Sequence, residues 1–333
     1  MCFPQPIPPM QGSERLQEDH IDNPRTGNRF RCRAQSGDCL GLSNHGGVNM
    51  LTYDIVRKEV NELASKIEGF LNADVCWYCG PINSAFISLW PKVVESIASQ
   101  PDKRDTIAIF LTTGGGSAEI AEQAVDIVRH FYPKVFFVVP QFAMSAGTIL
   151  CLSGDEVFMR YTSCLGPIDP QVEVNGEYVS ANGYLDKVSE YIEKSRKNEL
   201  TSAELQVLLS LDLGKLAKFE QAANLAKDLV KTWLIRHKFS SWTHHKSSGK
   251  EVTLSDKENR AEEIVEKLGD NKFWHSHGRR IGMKTLEDIL KIQIEDLEED
   301  KSLDELVCSY HQALIDCMEK HKYLAFFHTK KWF

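Results

Sequence analysis

Short apolar runs alternate with helically spaced apolar residues along the first half of the chain. The runs are apolar on every position, which is typical of strands buried on both faces of a parallel sheet. They lie at residues 75–78, 107–111, 135–139 and 157–159. Between them, apolar residues recur every three or four positions, as in helices packed against a sheet. Strands and helices in this order predict an α/β fold with a parallel sheet and right-handed crossovers.

The second half of the chain, from about residue 180, has a mostly helical pattern. Leu185, Val188 and Ile192 form one apolar stripe. Longer helical patterns cover residues 216–234, 254–268 and 303–324. The polar stretch 241–250 predicts an exposed loop, and the acidic stretch 295–300 predicts a solvated connection. We therefore expect additional helices after the α/β part.

Three consecutive glycines, residues 114–116, follow the second predicted strand. Glycine permits a positive φ and a close approach of bare backbone to a ligand. Ser117 is the expected N-cap of the next helix, and free N–H groups at a helix start suit an anion. A tight turn without a ligand is the alternative. A dinucleotide-binding loop is disfavoured because the third glycine of its motif is absent and no P-loop lysine follows.

Ser145 lies in a second loop between a buried strand and an apolar helix, and Ala146 and Gly147 follow it. Ligands gather at the carboxyl ends of parallel strands. A serine there can be a helix N-cap. It can also be a nucleophile, because its small neighbours admit a carbonyl and the Ala146 N–H faces a developing oxyanion. The loop departs from the Gly-x-Ser-x-Gly elbow, because Ala143 occupies the first glycine position.

The composition narrows the function classes. The 333 residues contain 39 Lys and Arg and 47 Asp and Glu, a net charge of −8, and 42% are hydrophobic. Such acidity disfavours nucleic-acid binding and adhesion to anionic membranes. No apolar run approaches the ~18 residues of a membrane span. We expect an acidic cytoplasmic protein without a secretory signal.

Residues 1–50 differ from the rest, being rich in proline and polar residues without an apolar period. They predict a flexible extension, ahead of a domain at 51–325. The nine cysteines are irregularly spaced, so we expect no disulfide framework. Cys76 and Cys79 form a lone Cys-x-x-Cys, which on a strand is a poor zinc site. We predict no metal and no cofactor.

The order of these motifs resembles a known family. Thr-Thr-Gly-Gly-Gly-Ser at 112–117, Ala-Met-Ser-Ala-Gly-Thr at 143–148 and Leu-Gly-Pro-Ile-Asp-Pro-Gln at 165–171 are similar to the serine dehydrogenase proteinase family. That family belongs to the Clp/crotonase superfamily, with the Clp protease proteolytic subunit and signal peptide peptidase A. The resemblance implies a spiral of ββα units, usually assembled into homo-oligomers. It also implies Ser145 as nucleophile and amides of Gly115 or Gly116 and of Ala146 as oxyanion hole.

The general base is not fixed by the resemblance. A serine hydroxyl needs a neighbour that takes its proton. Where the Clp subunit has its histidine, this chain has residues 166–169 without one. Signal peptide peptidases use a lysine after the serine, and Lys187, Lys194 and Lys197 fall in that window. These lysines lie mostly on the polar face of their predicted helix, where they stay protonated.

His277 is the alternative base. Residues 276–281 resemble a late His-bearing motif of the serine dehydrogenase proteinase family and align with the Clp segment that carries the acid. The ordinary pKa of histidine suits general-base work at neutral pH. A cationic surface turn, with Arg279 and Arg280, is the competing interpretation. Asp169 either orients a base or shapes its loop, and its position between prolines favours the loop role.

The sequence as a whole predicts a serine hydrolase, a peptidase acting on peptide or protein substrates, with no nucleic-acid partner. An inactive oligomeric scaffold or peptide-binding module of the same fold is the first alternative, motivated by the missing Clp-position histidine. A crotonase-like acyl-CoA enzyme is the second. It shares the oxyanion hole but needs no serine.

Overall fold

The computed structural model describes residues 48–174, 176–245 and 248–332, with side chains from residue 54 onward. The predicted flexible extension at 1–50 therefore lies outside the described residues, apart from 48–50, which begin the first helix.

Eleven helices are described, besides two short turns of π and 3₁₀ helix. They are α1 (Val48–Leu71), α2 (Ser84–Ala98), α3 (Ala118–Phe131), α4 (Ala146–Leu152), α5 (Ala181–Arg196), α6 (Ser202–Leu209), α7 (Leu213–Trp233), α8 (Leu254–Leu268), α9 (Asn271–Trp274), α10 (Met283–Asp288) and α11 (Lys301–His321). The π-helical turn Leu234–Lys238 continues α7, and a 3₁₀ turn Leu297–Glu299 precedes α11.

The described strands also number eleven. They are β1 (Asp74–Cys79), β2 (Thr106–Thr112), β3 (Lys134–Val139), β4 (Phe142–Ala143), β5 (Glu156–Met159), β6 (Cys164–Leu165), β7 (Gln171–Val174), β8 (Glu177–Ser180), β9 (Ile281–Gly282), β10 (Glu295–Asp296) and β11 (Phe326–His328). They form a six-stranded sheet in the order β10-β5-β3-β2-β1-β11, a three-stranded sheet β4-β6-β9 and the hairpin β7-β8. In the large sheet β11 is antiparallel to β1, and the other pairs are parallel.

Both faces of the large sheet are buried, as the unbroken apolar runs predicted. Successive strand residues point to opposite faces. Cys76 and Tyr78 of β1 belong to one core cluster, which includes residues of α2, α3, α4, α7 and α8. Val75 and Trp77 belong to another, closed by α1 and α11. The predicted α/β fold with a parallel sheet and additional C-terminal helices is therefore observed.

One expectation is corrected. Residues 295–300 are not only a solvated connection, because β10 pairs with β5 and Leu297 is buried. The apolar stripe on α5 is only partly covered, since Ala181 is the only buried residue of that helix and Ile192 is exposed. In addition, the large sheet continues beyond residue 325, because β11 pairs with β1.

Candidate active site

The three-stranded sheet brings three distant segments to one edge. Ala143 of β4 pairs in parallel with Leu165 of β6, and Leu165 pairs antiparallel with Ile281 of β9. The carboxyl ends of β4 and β6 therefore lie beside the amino end of β9. Ser145 leaves this edge just after β4, Asp169 just after β6, and His277 enters it just before β9.

Ser145 has a backbone conformation that is uncommon for a residue with a side chain. Its φ is 52° and its ψ is −115°, whereas residues other than glycine rarely adopt positive φ. The turn is fixed on both sides, because the Met144 amide donates to the Thr113 carbonyl at 2.9 Å and the Gly147 amide donates to Met144 at 2.8 Å. Ser145 is partly exposed and caps α4 without a side-chain hydrogen bond. Strained backbone of this kind concentrates at functional sites.

The triple-glycine loop packs directly against Ser145. A Cβ on Gly115, whose φ is +112°, would lie 2.9 Å from Ser145 Cβ and 3.0 Å from the Met144 carbonyl oxygen. A Cβ on Gly116, whose φ is +154°, would lie 2.0 Å from the Ile82 carbonyl oxygen. Two of the three glycines are thus needed, one for contact with the serine turn and one for contact with the segment after β1.

The amides predicted for an oxyanion hole differ in their availability. The Gly115 N–H donates to Thr113 Oγ1 at 3.0 Å. Within the described ranges, the Gly116 and Ala146 amides have no acceptor. Ala146 N begins α4 and lies 3.5 Å from the position that a Gly115 Cβ would occupy. Of the two glycines, Gly116 therefore offers the free N–H, on an exposed stretch of loop.

His277 and Asp169 form a hydrogen-bonded pair. His277 Nδ1 lies 2.9 Å from Asp169 Oδ1, and the Asp169 side chain is 1% exposed whereas that of His277 is 27% exposed. An ionised carboxylate only accepts, so the assigned tautomer has its proton on Nδ1 and a lone pair on Nε2. Asp169 Oδ2 also accepts from Gln171 Nε2 at 3.3 Å. Asp169 was expected either to orient a base or, with more support, to shape its loop, and this hydrogen bond fits the first role.

A buried threonine ties the Asp169 loop to the serine turn. Thr148 Oγ1 donates to the Ala143 carbonyl at 2.9 Å and accepts from the Gly166 amide at the same distance. Gly166 in turn lies against Met144, since a Cβ there would be 2.6 Å from Met144 Cε. The two loops therefore form one packed unit. Among the described residues, no group accepts or donates a hydrogen bond at the Ser145 hydroxyl.

The lysines of α5 lie in a different environment. Lys194 donates to Glu204 at 2.7 Å and lies 3.2 Å from Glu190. Hydrogen bonds to Glu204 and then Glu190 raise the pKa of Lys194 above its ordinary value. Lys187 is likewise bonded to Glu190, and Lys197 is exposed at the end of the helix. Helix α5 packs on α6, α7, α9 and β8.

One lysine that the sequence did not single out, Lys238, has a pKa that is lowered rather than raised. Burial lowers the pKa of Lys238 to about 8, against the opposing effect of nearby Glu295 and Glu156. Lys238 ends the π-helical turn and lies near Cys151, at the carboxyl end of α4, and near the amino end of β5. Ser145 precedes the other end of α4, so the two are separated by the length of that helix, ~10 Å. The apolar helical pattern ends at residue 234 and gives no sign that a lysine four positions later will be half-buried.

Two further findings concern the described residues alone. No group of three or more His, Cys, Asp or Glu side chains among them is arranged to hold a metal ion. None of the helices described has both the length and the apolar character needed to cross a membrane.

A strained serine at a strand-to-helix turn, beside backbone amides, is a geometry that serine-hydrolase folds use. The sequence profile of the ClpP-like SDH-type serine proteinases matches residues 80–251, just over half of the chain. The chain belongs to that family and has a ClpP-like fold, as the motifs predicted. The match includes Ser145 and Asp169, whereas His277 lies beyond it.

The chain is similar to two uncharacterized proteins of Methanocaldococcus jannaschii. It is 28% identical to MJ1495 over 159 residues, which are 46% of this chain and 51% of that protein. It is 26% identical to MJ0137 over 140 residues, which are 42% of this chain and 44% of that protein. The chain thus spans about half the length of the curated relatives it matches.

A solved structure, a mutant of the 1510-N membrane-bound stomatin-specific protease, is 21% identical, with a TM-score of 0.28. The similarity covers 37% of this chain and 62% of that one.

Proposed function

We propose that this protein is a serine peptidase with Ser145 as its nucleophile. The Oγ attacks the carbonyl carbon of a peptide bond, an acyl-enzyme forms as the amine leaves, and water then releases the acid. The observation that carries the proposal is the contact of the Gly115 backbone with a strained, partly exposed Ser145. Membership of a serine proteinase family supports the same reaction class.

His277 is the proposed general base. The Nδ1 bond to buried Asp169 fixes the ring tautomer and leaves Nε2 free to take the serine proton and pass it to the leaving amine. The Ser145 hydroxyl and His277 are not hydrogen-bonded to each other, and such bonds often form only when substrate is present. Lys194 and Lys197, the other candidates, are disfavoured because Lys194 is held by two carboxylates and Lys197 is solvated.

The proposed oxyanion hole consists of the Gly116 and Ala146 amides. Both donors are fixed before the substrate arrives, and Ala146 lies at the amino end of α4, where the first N–H groups favour negative charge. Loss of one such donor costs ~2.7–4 kcal/mol of transition-state stabilisation in an enzyme where it was measured. Gly115 keeps the loop against Ser145 and does not donate, because its N–H bonds Thr113.

Labelling with a fluorophosphonate probe tests the nucleophile. We expect the wild-type protein to be labelled and Ser145→Ala to remain unlabelled, because only an activated hydroxyl attacks phosphorus. Ser117→Ala is the matched control, since Ser117 caps the helix that follows the glycine loop. Equal labelling of the wild type and Ser145→Ala would contradict the proposal.

An inactive binding module of the same fold is the second candidate, favoured by the missing contact between Ser145 and His277. An activated ester separates the two hypotheses, because an active site gives a burst of acyl-enzyme and an inactive one does not. A cytoplasmic location and assembly into homo-oligomers remain part of the proposal. They rest on composition and on the resemblance to Clp-type proteins.

A further inference from the structure

A large cleft lies between the three-stranded sheet and α11. Its volume is about 1150 Å³, and its lining includes Gln141 and Phe142 at the start of β4, Thr162 before β6, Arg280 before β9, and His311 on α11. Small-molecule sites are usually ~300–1,000 Å³ and enclosed. This cleft is larger and opens to solvent. It therefore suits a segment of polypeptide better than a small metabolite.

The cleft contains a buried donor without an acceptor. His311 is 5% exposed, and its Nδ1 lies 3.1 Å from the indole Nε1 of Trp77. Because an indole N–H only donates, Nδ1 must accept, and the neutral ring has its proton on Nε2. Burial lowers the pKa of His311 to about 4, which keeps the ring neutral. Its buried Nε2 has no hydrogen-bond partner among the described residues, although buried polar groups nearly always have one.

Arg280 supplies an unpaired positive charge at the same cleft. Its Nε donates to Cys164 Sγ at 3.1 Å, and it forms no ion pair within 4.0 Å with a carboxylate of the described residues. The other guanidinium of the cleft is different, because Arg160 donates two hydrogen bonds to Asp304, at 2.5 and 3.0 Å. Asp316, an exposed acidic residue of the described lining, accepts a hydrogen bond from Gln312. Arg280 and the buried His311 Nε2–H are the donors of the cleft that an anionic acceptor would satisfy.

The cleft is also connected to the candidate active site. Phe142 begins the strand that leads to Ser145, and Arg280 follows His277 by three positions. Three residues span at most ~10 Å, and less here because 277–278 form a turn. A peptide held in the cleft can therefore reach the serine with a few more residues.

We propose that this cleft binds an acidic segment of the polypeptide substrate, with a carboxylate held by Arg280 and by the His311 Nε2–H. The proposal rests on the peptidase function above and specifies its substrate class. It makes Arg280 and His311 specificity-determining residues outside the reacting centre.

Binding to Ser145→Ala tests the proposal without turnover. Fluorescence anisotropy is measured with a fluorescein-labelled peptide that contains Asp residues and with the matched peptide that contains Asn. We expect the Asp peptide to bind about tenfold more tightly, since hydrogen bonds to charged groups are the strong ones. Adding Arg280→Gln should remove that preference, and Arg280→Lys should restore part of it.

His311→Asn provides the second variant, because Asn can still accept from Trp77 while lacking a group at the position of Nε2. We expect a weaker preference for the Asp peptide from a protein that stays folded, although its melting temperature falls because a buried side chain becomes smaller. Equal binding of both peptides to the Ser145→Ala protein would overturn the proposal. Competition by free glutarate without a peptide preference would also overturn it, because the ligand would then be a small carboxylate.

Fluorophosphonate labelling of the wild-type protein, compared with peptide binding to Ser145→Ala, separates the two proposals. Normal labelling of the wild type without any Asp preference in Ser145→Ala means that the cleft assignment fails and the nucleophile stands. An Asp preference in a wild-type protein that is never labelled means that the peptidase proposal fails and the cleft still binds acidic peptide.

Discussion

Two regions of the molecule contain the basic groups considered as proton acceptors for Ser145, and they differ in what surrounds the basic group. At the edge of the three-stranded sheet, His277 is partly exposed and bonded to a carboxylate that is itself buried. On α5, Lys194 lies among surface carboxylates that raise its pKa. A buried acid orients a base without removing its lone pair, whereas surface ion pairs keep a lysine protonated. The comparison shows that the neighbours of a basic side chain, more than the position of that side chain in the sequence, decide whether it can accept a proton.

The largest expected effect is that of His277→Ala. Removing a general base typically lowers kcat by ~10²–10⁴. We expect a loss of that size in peptide hydrolysis and in the rate of fluorophosphonate labelling, with little change in KM. The matched control is His275→Ala, since His275 is an exposed neighbour in the same turn.

Comparable kcat values for His277→Ala and His275→Ala would contradict the proposal that His277 is the general base. The lysines of α5 would then be the remaining candidates. Asp169→Asn tests the role of the carboxylate, because the amide removes the negative charge beside Nδ1 while keeping a side chain of the same size.

Lys238 gives an intermediate effect, on stability rather than catalysis. Its pKa is lowered to about 8 in the folded protein, against 10.5 for an ordinary lysine. Between these pH values the unfolded chain binds the proton and the folded one has released it, so the free energy of unfolding rises with pH. Relative to Lys238→Met, the wild type should gain about 2 kcal/mol between pH 8 and pH 10.5.

Urea unfolding of both proteins at several pH values measures this gain. A constant difference between the two proteins would show that Lys238 stays protonated. Unchanged labelling of Lys238→Met is also expected, because a lowered pKa at the far end of α4 does not place a base at the serine.

The smallest effect is expected for Lys194→Met. Exposed ion pairs contribute little, and this lysine is not at the serine turn, so kcat should change less than about twofold. Lys197→Met serves as the control without an ion pair. A large fall in kcat for Lys194→Met, measured beside an unchanged Lys197→Met, would favour a lysine base.

The elements of the large sheet could be predicted because their residues are buried on both faces. Residues 107–111 and 135–139 lie within β2 and β3, and residues 254–268 coincide with α8. Ser117 caps α3 through its bond from the Ile120 amide, as expected. Such local signals depend on neighbours in the sequence.

The three-stranded sheet could not be predicted, because β4, β6 and β9 are two residues each and have no period. The pairing of Asp169 with His277 depends on this sheet, so the sequence left two roles open for Asp169 and favoured the loop role. The burial of His311 and the half-buried position of Lys238 were missed for a related reason. Long-range packing decides which polar side chains are enclosed, and local patterns do not contain that information.

The positions of β4, β6 and β9 along the chain also determine when, during translation, the three-stranded sheet can form. Asp169 and His277 are 108 positions apart, which takes on the order of ten seconds to translate. During that interval the emerging chain already contains Ser145 but has no imidazole beside Asp169. Under the proposed mechanism, a half-made molecule cannot cleave its own unfolded segments or other nascent chains at the ribosome. The proposed active site is complete only after β9, the last strand of the three-stranded sheet, has paired with β6.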